Sequence, residues 1–264
     1  VRIRIDYKWQ EEMLMEREFN GKTVVITGGA SGMGLVSGKN FYESGANVVL
    51  CDCDEEALKN VAGSFVGGEG RLFAVRCDVR NFTEVKAAVA QAVETFGSLD
   101  IMINCAGGNS CRIFDRWDEF CDLPIEQVQW GIEVNLMGTV YFCHEAMRQM
   151  KKQKSGAIIN FGSITGIEGD VCGMDYAISK SAIMTGLNKS LAKEGAPYGV
   201  RVNCIAPGPV LTRPGMAGLK TALGRAAEPQ EIVNMVLYLA SEKSSFMTGA
   251  TILMDGGRHL LMND

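Results

Sequence analysis

Thr23-Val24-Val25-Ile26-Thr27-Gly28-Gly29-Ala30-Ser31-Gly32-Met33-Gly34 runs from a β-branched segment straight into a glycine-rich turn, and helical apolar spacing follows. The first five residues predict a buried strand. Gly28, Gly32 and Gly34 beyond it let backbone amides and a helix N-terminus face an anion with no side chains in the way. Outward from this stretch, six more runs predict strands: 47–51, 72–75, 99–103, 157–161, 200–205 and 251–254. The segments between them, near 33–44, 54–62, 82–96, 125–150, 174–195 and 228–241, have helical spacing, as in Val85, Val89, Ala92, Val93 and Phe96. Strands separated by helices cannot pair as hairpins, so an α/β fold with a parallel seven-stranded sheet and helices on both faces is expected.

Composition narrows the class. With 264 residues and no repeat, proline-rich linker or low-complexity tract, residues 19–264 read as a single domain. Residues 1–18, with five acids and four bases, read as an extension, and Met15 is an alternative start. A net charge of −5 argues against binding the phosphate backbone of a nucleic acid. The longest uncharged stretch, 16 residues from Thr23 to Gly38, holds five glycines and is too short to span a membrane. The first twenty residues lack a signal peptide's apolar core, so a cytoplasmic location is expected. Nine cysteines, an odd number without a Cys-x-x-Cys pair, read as reduced and mostly buried thiols. The two histidines, His144 and His259, have no ligand partners at useful spacing, so no metal is expected. Glycine is the excess: 31 residues, about 12% against a usual value near 7%.

Asp52 ends the second strand, where a carboxylate can accept from the ribose 2′-hydroxyl of a dinucleotide. Neither Ser31 nor Cys53 is basic, so nothing nearby in sequence would balance a 2′-phosphate, and NAD is favoured over NADP. The alternative is that Asp52 caps the helix near Glu55. Asp78 and Val79 after the third strand, and Asn104-Cys105-Ala106-Gly107 after the fourth, extend a row of polar or small residues at strand C-termini, where ligands of open α/β sheets bind. Ser163 follows the fifth strand, and Tyr176 and Lys180 stand at i and i+4 on one helix face. A free phenol, with a pKa near 10, exchanges protons poorly at neutral pH. A cation about 4 Å away at an effective dielectric near 20 is worth roughly 4 kcal/mol, which favours the phenolate.

These motifs together resemble a classical short-chain dehydrogenase/reductase over about residues 21–257. They are Thr27-Gly28 with Gly32 and Gly34, Asn104-Cys105-Ala106-Gly107, Asn135, Ser163, Tyr176 with Lys180, and Pro207-Gly208. The family usually has a second asparagine where Cys105 stands. The resemblance implies a Rossmann-type doubly wound sheet and a homotetramer. It also implies hydride transfer between a nicotinamide and a secondary alcohol or ketone, a small-molecule substrate. It assigns catalysis to Asn135, Ser163, Tyr176 and Lys180, with Asn135 holding a water that links Lys180 to solvent. Cofactor binding would fall to Gly28, Ser31, Gly32, Met33, Gly34, Asp52, Asp78, Val79, Asn104, Ala106 and Gly107, to Tyr176 and Lys180 again, and to Pro207, Gly208, Val210 and Thr212. A 3-oxoacyl thioester reductase and a catalytically idle NAD(H) sensor are the rival readings.

Two departures concern the substrate. The segment 108–122 is longer than usual and holds Arg112, Phe114, Trp117 and Phe120, while only ten residues separate Thr212 from Leu223 where a lid normally forms. The aromatic segment either supplies the missing cover or merely packs a helix. Ile164, Thr165, Glu168, residues 170–174 and residues 213–220 are expected to wall the pocket. That mixed lining leaves a polyol or sugar, a hydroxysteroid, a hydroxy acid and an acyl chain all open.

Overall fold

The computed structural model describes residues 18–261. The expected extension, apart from Glu18, and residues 262–264 lie outside the described residues. Seven strands form one parallel sheet: β1 (Thr23–Thr27), β2 (Asn47–Asp52), β3 (Arg71–Arg76), β4 (Ile101–Asn104), β5 (Gly156–Phe161), β6 (Val200–Pro207) and β7 (Thr251–Met254). Their spatial order is β3-β2-β1-β4-β5-β6-β7, the doubly wound arrangement expected from the sequence. The chain builds outward from β1 through β3, returns to β4 beside β1, and then builds the other way. A crevice therefore opens at the C-terminal ends of β1 and β4, the topological switch point.

Strand alternation divides the core in two. Val24, Ile26, Val48 and Leu50 face a layer containing α1 (Gly32–Glu43) and α2 (Glu55–Ala62), together with the late helix at Pro229–Ala240. Val25, Val49, Cys51 and Met102 face the other layer, with α3 (Phe82–Phe96) contributing Val85 and Val89. Both faces are covered, so the strands carry no polar alternation. Asn81 caps α3 by accepting from Thr83 N at 3.0 Å, and Gly97 ends it in the left-handed region at φ 86°.

Further helices are α4 (Ser110–Phe114), α5 (Ile125–Ile132), α6 (Gly138–Gln153), α7 (Met174–Ala182), α8 (Asn188–Gly195) and α9 (Pro229–Ala240), and a single helical turn spans Thr165–Glu168. The two long helices expected over 125–150 and 174–195 are each interrupted by a π turn, at Glu133–Met137 and Ile183–Leu187. In the first, the Asn135 carboxamide donates back to Gly131 O at 2.8 Å, so a side chain joins the backbone ladder at the widened turn. No described helix is long and apolar enough to cross a membrane.

Candidate active site

The crevice is built by close approach of backbone to backbone. Thr27 Oγ1 accepts from both Cys105 N and Ala106 N at 3.0 Å, which ties the turn after β1 to the loop after β4. A Cβ on Gly28 would stand 2.9 Å from Ala106 Cα, and one on Gly34 would run into the carbonyl oxygen of Gly28. These glycines are where they are because a side chain would force the turn open. Ser31 occupies the N-cap position of α1 but makes no side-chain cap bond, so its hydroxyl and the first amides of that helix remain open to an anion. Met33 is half-buried and packs against the core.

Asp52 Oδ2 accepts from Ala30 N at 3.1 Å, so the carboxylate is held at the rim of the glycine turn. The helix cap expected of it as an alternative belongs to Asp54, which accepts from Ala57 N at 2.9 Å. Arg76, which sequence distance concealed, lies in register beside Asp52 on β3. It is spoken for by Glu84 at 2.8 Å, so the one cation brought beside Asp52 by strand pairing is already neutralised. Asp78 is gripped by Arg80 at 2.6 Å, which holds its carboxyl below the ordinary value. Val79 turns its side chain inward; a Cβ on Gly138 would come 2.7 Å from its Cγ2. The Asn104 side chain also points away from the crevice, donating to Asn160 Oδ1 at 2.9 Å and to Cys143 Sγ at 3.2 Å between β4 and β5. Val79 and Asn104 can thus meet a ligand only through their backbone.

On the other side of the crevice stand the candidate reacting groups. Lys180 is 4% exposed, and its Nζ lies 5.4 Å from the Tyr176 ring centre, one turn along α7. That ammonium donates to Phe161 O, the last residue of β5, at 2.8 Å and has no carboxylate partner among the described residues. A buried ammonium with one carbonyl partner has donors to spare, which fits the hydroxyls of a ribose. Ser163, two residues beyond Phe161, is buried and accepts from Thr165 N at 3.2 Å, leaving its own hydrogen free to donate. Tyr176 is half-exposed, and no described group hydrogen-bonds its hydroxyl.

Asn135 closes the back of the site. Its Nδ2 donates to Gly108 O and Gly131 O, and its Oδ1 accepts from Gly108 N at 2.9 Å. Both donor hydrogens are committed, so a water at this side chain would have only the oxygen to bind. A Cβ on Gly107 would collide with that oxygen and would lie 3.5 Å from Lys180 Nζ. Beneath Tyr176, Asp175 is fully buried and accepts from Ser110 Oγ at 2.9 Å; burial raises its carboxyl above the ordinary value.

The exit of β6 completes the cradle. Gly208 N donates to Met254 O at 3.0 Å, and a Cβ on Gly208 would press on Asp255 Cα at 2.7 Å. Pro207 O accepts from Ile164 N at 2.8 Å, which joins this exit to the Ser163 loop. Val210 pairs with Ala227, and the Thr212 methyl comes 3.8 Å from the Cβ position of Gly32. The structure therefore assembles the glycine turn, Asp52, the Gly107 loop, the Pro207–Thr212 stretch and the Ser163–Tyr176–Lys180 group around one crevice.

The chain belongs to the classical short-chain dehydrogenase/reductase family. The family model described as enoyl-(acyl carrier protein) reductase matches residues 28–259. An uncharacterized oxidoreductase of Mycobacterium bovis is 39% identical over 252 residues, covering 91% of this chain and 98% of that protein. A trans-4-hydroxycyclohexanecarboxylate dehydrogenase of Sinomonas cyclohexanicum is 40% identical over 247 residues, covering 89% and 92%. Among solved structures, NAD+-bound xylitol dehydrogenase superposes with a TM-score of 0.84 at 27% identity, covering 91% of this chain and all of that one. The protein is accordingly an oxidoreductase of that family.

The long segment after Gly107 follows the packing alternative at one of its aromatic residues. Phe114 packs edge-on against Trp130 of α5, 5.4 Å between ring centres, which matches ordinary helix packing at that residue. Trp117 and Phe120 are exposed, and Trp117 touches the loop before Tyr176 through its carbonyl, accepting from Cys172 Sγ. Of the wall residues, Glu168 is paired with Arg258 at 2.8 Å and Asp170 accepts from Asn109 and Cys172 N. His144 and His259 bond to Glu145 and Asp255, and no group of three metal-ligating side chains occurs among the described residues.

Proposed function

We propose that the protein is an NAD(H)-dependent enzyme that interconverts a secondary alcohol and a ketone, with Tyr176 as the proton-transfer residue. The carrying observation is Lys180: a buried ammonium one helical turn from a phenol, its Nζ bonded to the strand end that leads to Ser163. A nicotinamide held by Lys180 and the Pro207–Thr212 stretch would supply the hydride acceptor for oxidation and the hydride donor for reduction. In oxidation Tyr176 accepts the proton of the substrate hydroxyl; in reduction it gives one to the carbonyl oxygen. Ser163 donates to that same oxygen, which holds it beside the phenol and offsets its developing negative charge. Lys180 binds the nicotinamide ribose through the donors that Phe161 O leaves free. Asn135 fixes the Gly107–Gly108 loop against which Lys180 rests.

The glycine turn and the open N-terminus of α1 suit a pyrophosphate. Asp52, with Arg76 neutralised by Glu84, favours a ribose bearing free hydroxyls over a 2′-phosphate, and this supports NAD rather than NADP. The NAD+-bound neighbour and the relative acting on a hydroxylated ring agree with a cyclic or secondary alcohol. A homotetramer is part of the same reading, with exposed Ile178 of α7 and Phe246 as apolar candidates for its contacts.

The test is NADH consumption against a panel of ketones, sugars and steroids, with Tyr176→Phe as control. That variant should lose about 10²- to 10⁴-fold in kcat while still binding NADH. Turnover that survives the substitution removes the mechanism, and NADH binding with no turnover across the panel favours the idle sensor.

A further inference from the structure

Two arginines that proton and hydride transfer do not require stand at the mouth of the crevice. Arg112, on α4, folds back over the loop after β4: a Cβ on Gly108 would lie 2.9 Å from its Nη2. Gly108 is the residue that Asn135 bonds in both directions, so this guanidinium sits over the wall behind Lys180. Arg213 follows Thr212, whose methyl faces Gly32 of the glycine turn. The Arg213 guanidinium feels the charges of both Arg112 and the Tyr176 phenol, and burial together with the Arg112 charge lowers its hold on its proton.

Neither guanidinium has a carboxylate partner among the described residues. Among the described residues the other arginines all bond: six of them to a carboxylate, Arg71 to Asn47 Oδ1, and Arg201 to the carbonyls of Leu239 and Ser241. The acids of the adjoining loop are engaged elsewhere: Glu168 with Arg258, and Asp170 with Asn109 and the Cys172 amide. The two charges act on each other, and an anion bound by both relieves their repulsion. Two guanidinium forks match the oxygens of a carboxylate, with charge-assisted bonds stronger than neutral ones.

Resting on the assignment of Tyr176 as the proton-transfer residue, we propose that Arg112 and Arg213 bind a carboxylate of the substrate, so that the enzyme acts on hydroxy and oxo acids. In oxidation the carbinol C–H leaves as hydride to NAD+, the O–H proton goes to Tyr176, and the C–O bond becomes a carbonyl. The carboxylate is unchanged throughout and serves to set which carbon faces the nicotinamide.

The experiment compares kcat/KM for 4-oxocyclohexanecarboxylate and 4-oxopentanoate with that for their methyl esters, in the unaltered protein and in Arg112→Gln, Arg213→Gln and Arg213→Lys. The acids should be preferred by about tenfold or more, and each glutamine variant should shrink the acid-to-ester ratio by about the same factor. Arg213→Lys should keep part of it. Because the ratio cancels any general loss of activity, a variant that folds poorly still gives an answer. Calorimetric binding of cyclohexanecarboxylate and its methyl ester to the NADH complex repeats the comparison without turnover. Equal treatment of acid and ester, a ratio indifferent to the arginines, a change confined to the KM of NADH, or a preference for a ketone bearing phosphate or an acyl carrier overturns the proposal. Tyr176→Phe separates the two ideas: turnover surviving it removes the proton-transfer reading, whereas the binding comparison still decides the arginines.

Discussion

Asn135 and Gly108 are hydrogen-bonded in both directions: the carboxamide donates to the glycine carbonyl and accepts from its amide, each at 2.9 Å. A side chain thus stands in for a neighbouring strand and fixes a loop that would otherwise be free. Asn135→Ala would take this partner from the amide and carbonyl of half-buried Gly108 and from the carbonyl of buried Gly131, at about 1–3 kcal/mol for each group left unsatisfied. Denaturant unfolding should register the loss. Asn135→Asp, which cannot donate, should fall on the same side. Either variant matching the unaltered protein in stability and kcat would show that the loop is held by something else.

Gly34 tests the nucleotide side of the crevice. An alanine there meets the Gly28 carbonyl oxygen, and overpacking of this kind costs about 1–3 kcal/mol. Gly34→Ala should raise the NADH dissociation constant by about tenfold or more, measured by quenching of intrinsic fluorescence. Unaltered affinity would mean that the turn is not where the pyrophosphate sits.

Cofactor choice turns on Asp52. Its replacement by alanine should cut the preference for NADH over NADPH by about tenfold or more, read from paired kcat/KM values. An unaltered protein that already prefers NADPH would reverse the reading of this strand end.

Asp175 makes a prediction about pH. Burial raises its folded-state pKa, opposed by the bond from Ser110, so the folded protein holds this proton more tightly than the unfolded chain does. Its contribution to stability is therefore greatest below the unfolded value, near 3.9, and is lost as pH rises through the folded one. Asp175→Asn removes that loss, so its melting temperature relative to the unaltered protein should climb from about pH 4 toward neutrality. A difference that shrinks over this range contradicts the burial argument.

Thiol chemistry gives a structural readout of the cofactor site. Burial pushes Cys77, Cys105 and Cys143 up to about 12, so they should resist a thiol reagent in the native state. Exposed Cys121 should supply the fast phase and exposed Cys53 a slower one, since partial burial and the Asp52 carboxylate raise its thiol's pKa. NADH should slow Cys53, which follows Asp52, and leave Cys121 alone. Protection in the opposite pattern would move the dinucleotide to another place.

Most of the sheet was legible because its strands are buried on both faces and read as unbroken apolar runs between helical segments. The glycine turn was legible because only glycine tolerates the contacts found at Gly28 and Gly34. The π turns were not: one extra residue in a helix barely disturbs apolar spacing, and only the asparagine at 135 marked the first of them. Arg76 beside Asp52, and Arg112 near Arg213, were hidden for a different reason. Strand register and loop packing set those encounters, and neither leaves a local trace. The side-chain directions of Val79 and Asn104 were equally invisible, since a residue type does not say whether it meets a ligand by side chain or by backbone.

Thr27, whose one hydroxyl oxygen is shared by the amides of Cys105 and Ala106, makes a strut across the crevice that continues through Gly108 to Asn135. The two halves of the pocket are thereby braced as a single frame, while residues 112–122 and 213–220 hang outside it. Anyone retargeting this scaffold to a new molecule should leave the frame alone and diversify those two overhangs, where changes in shape need not disturb the chemistry beneath.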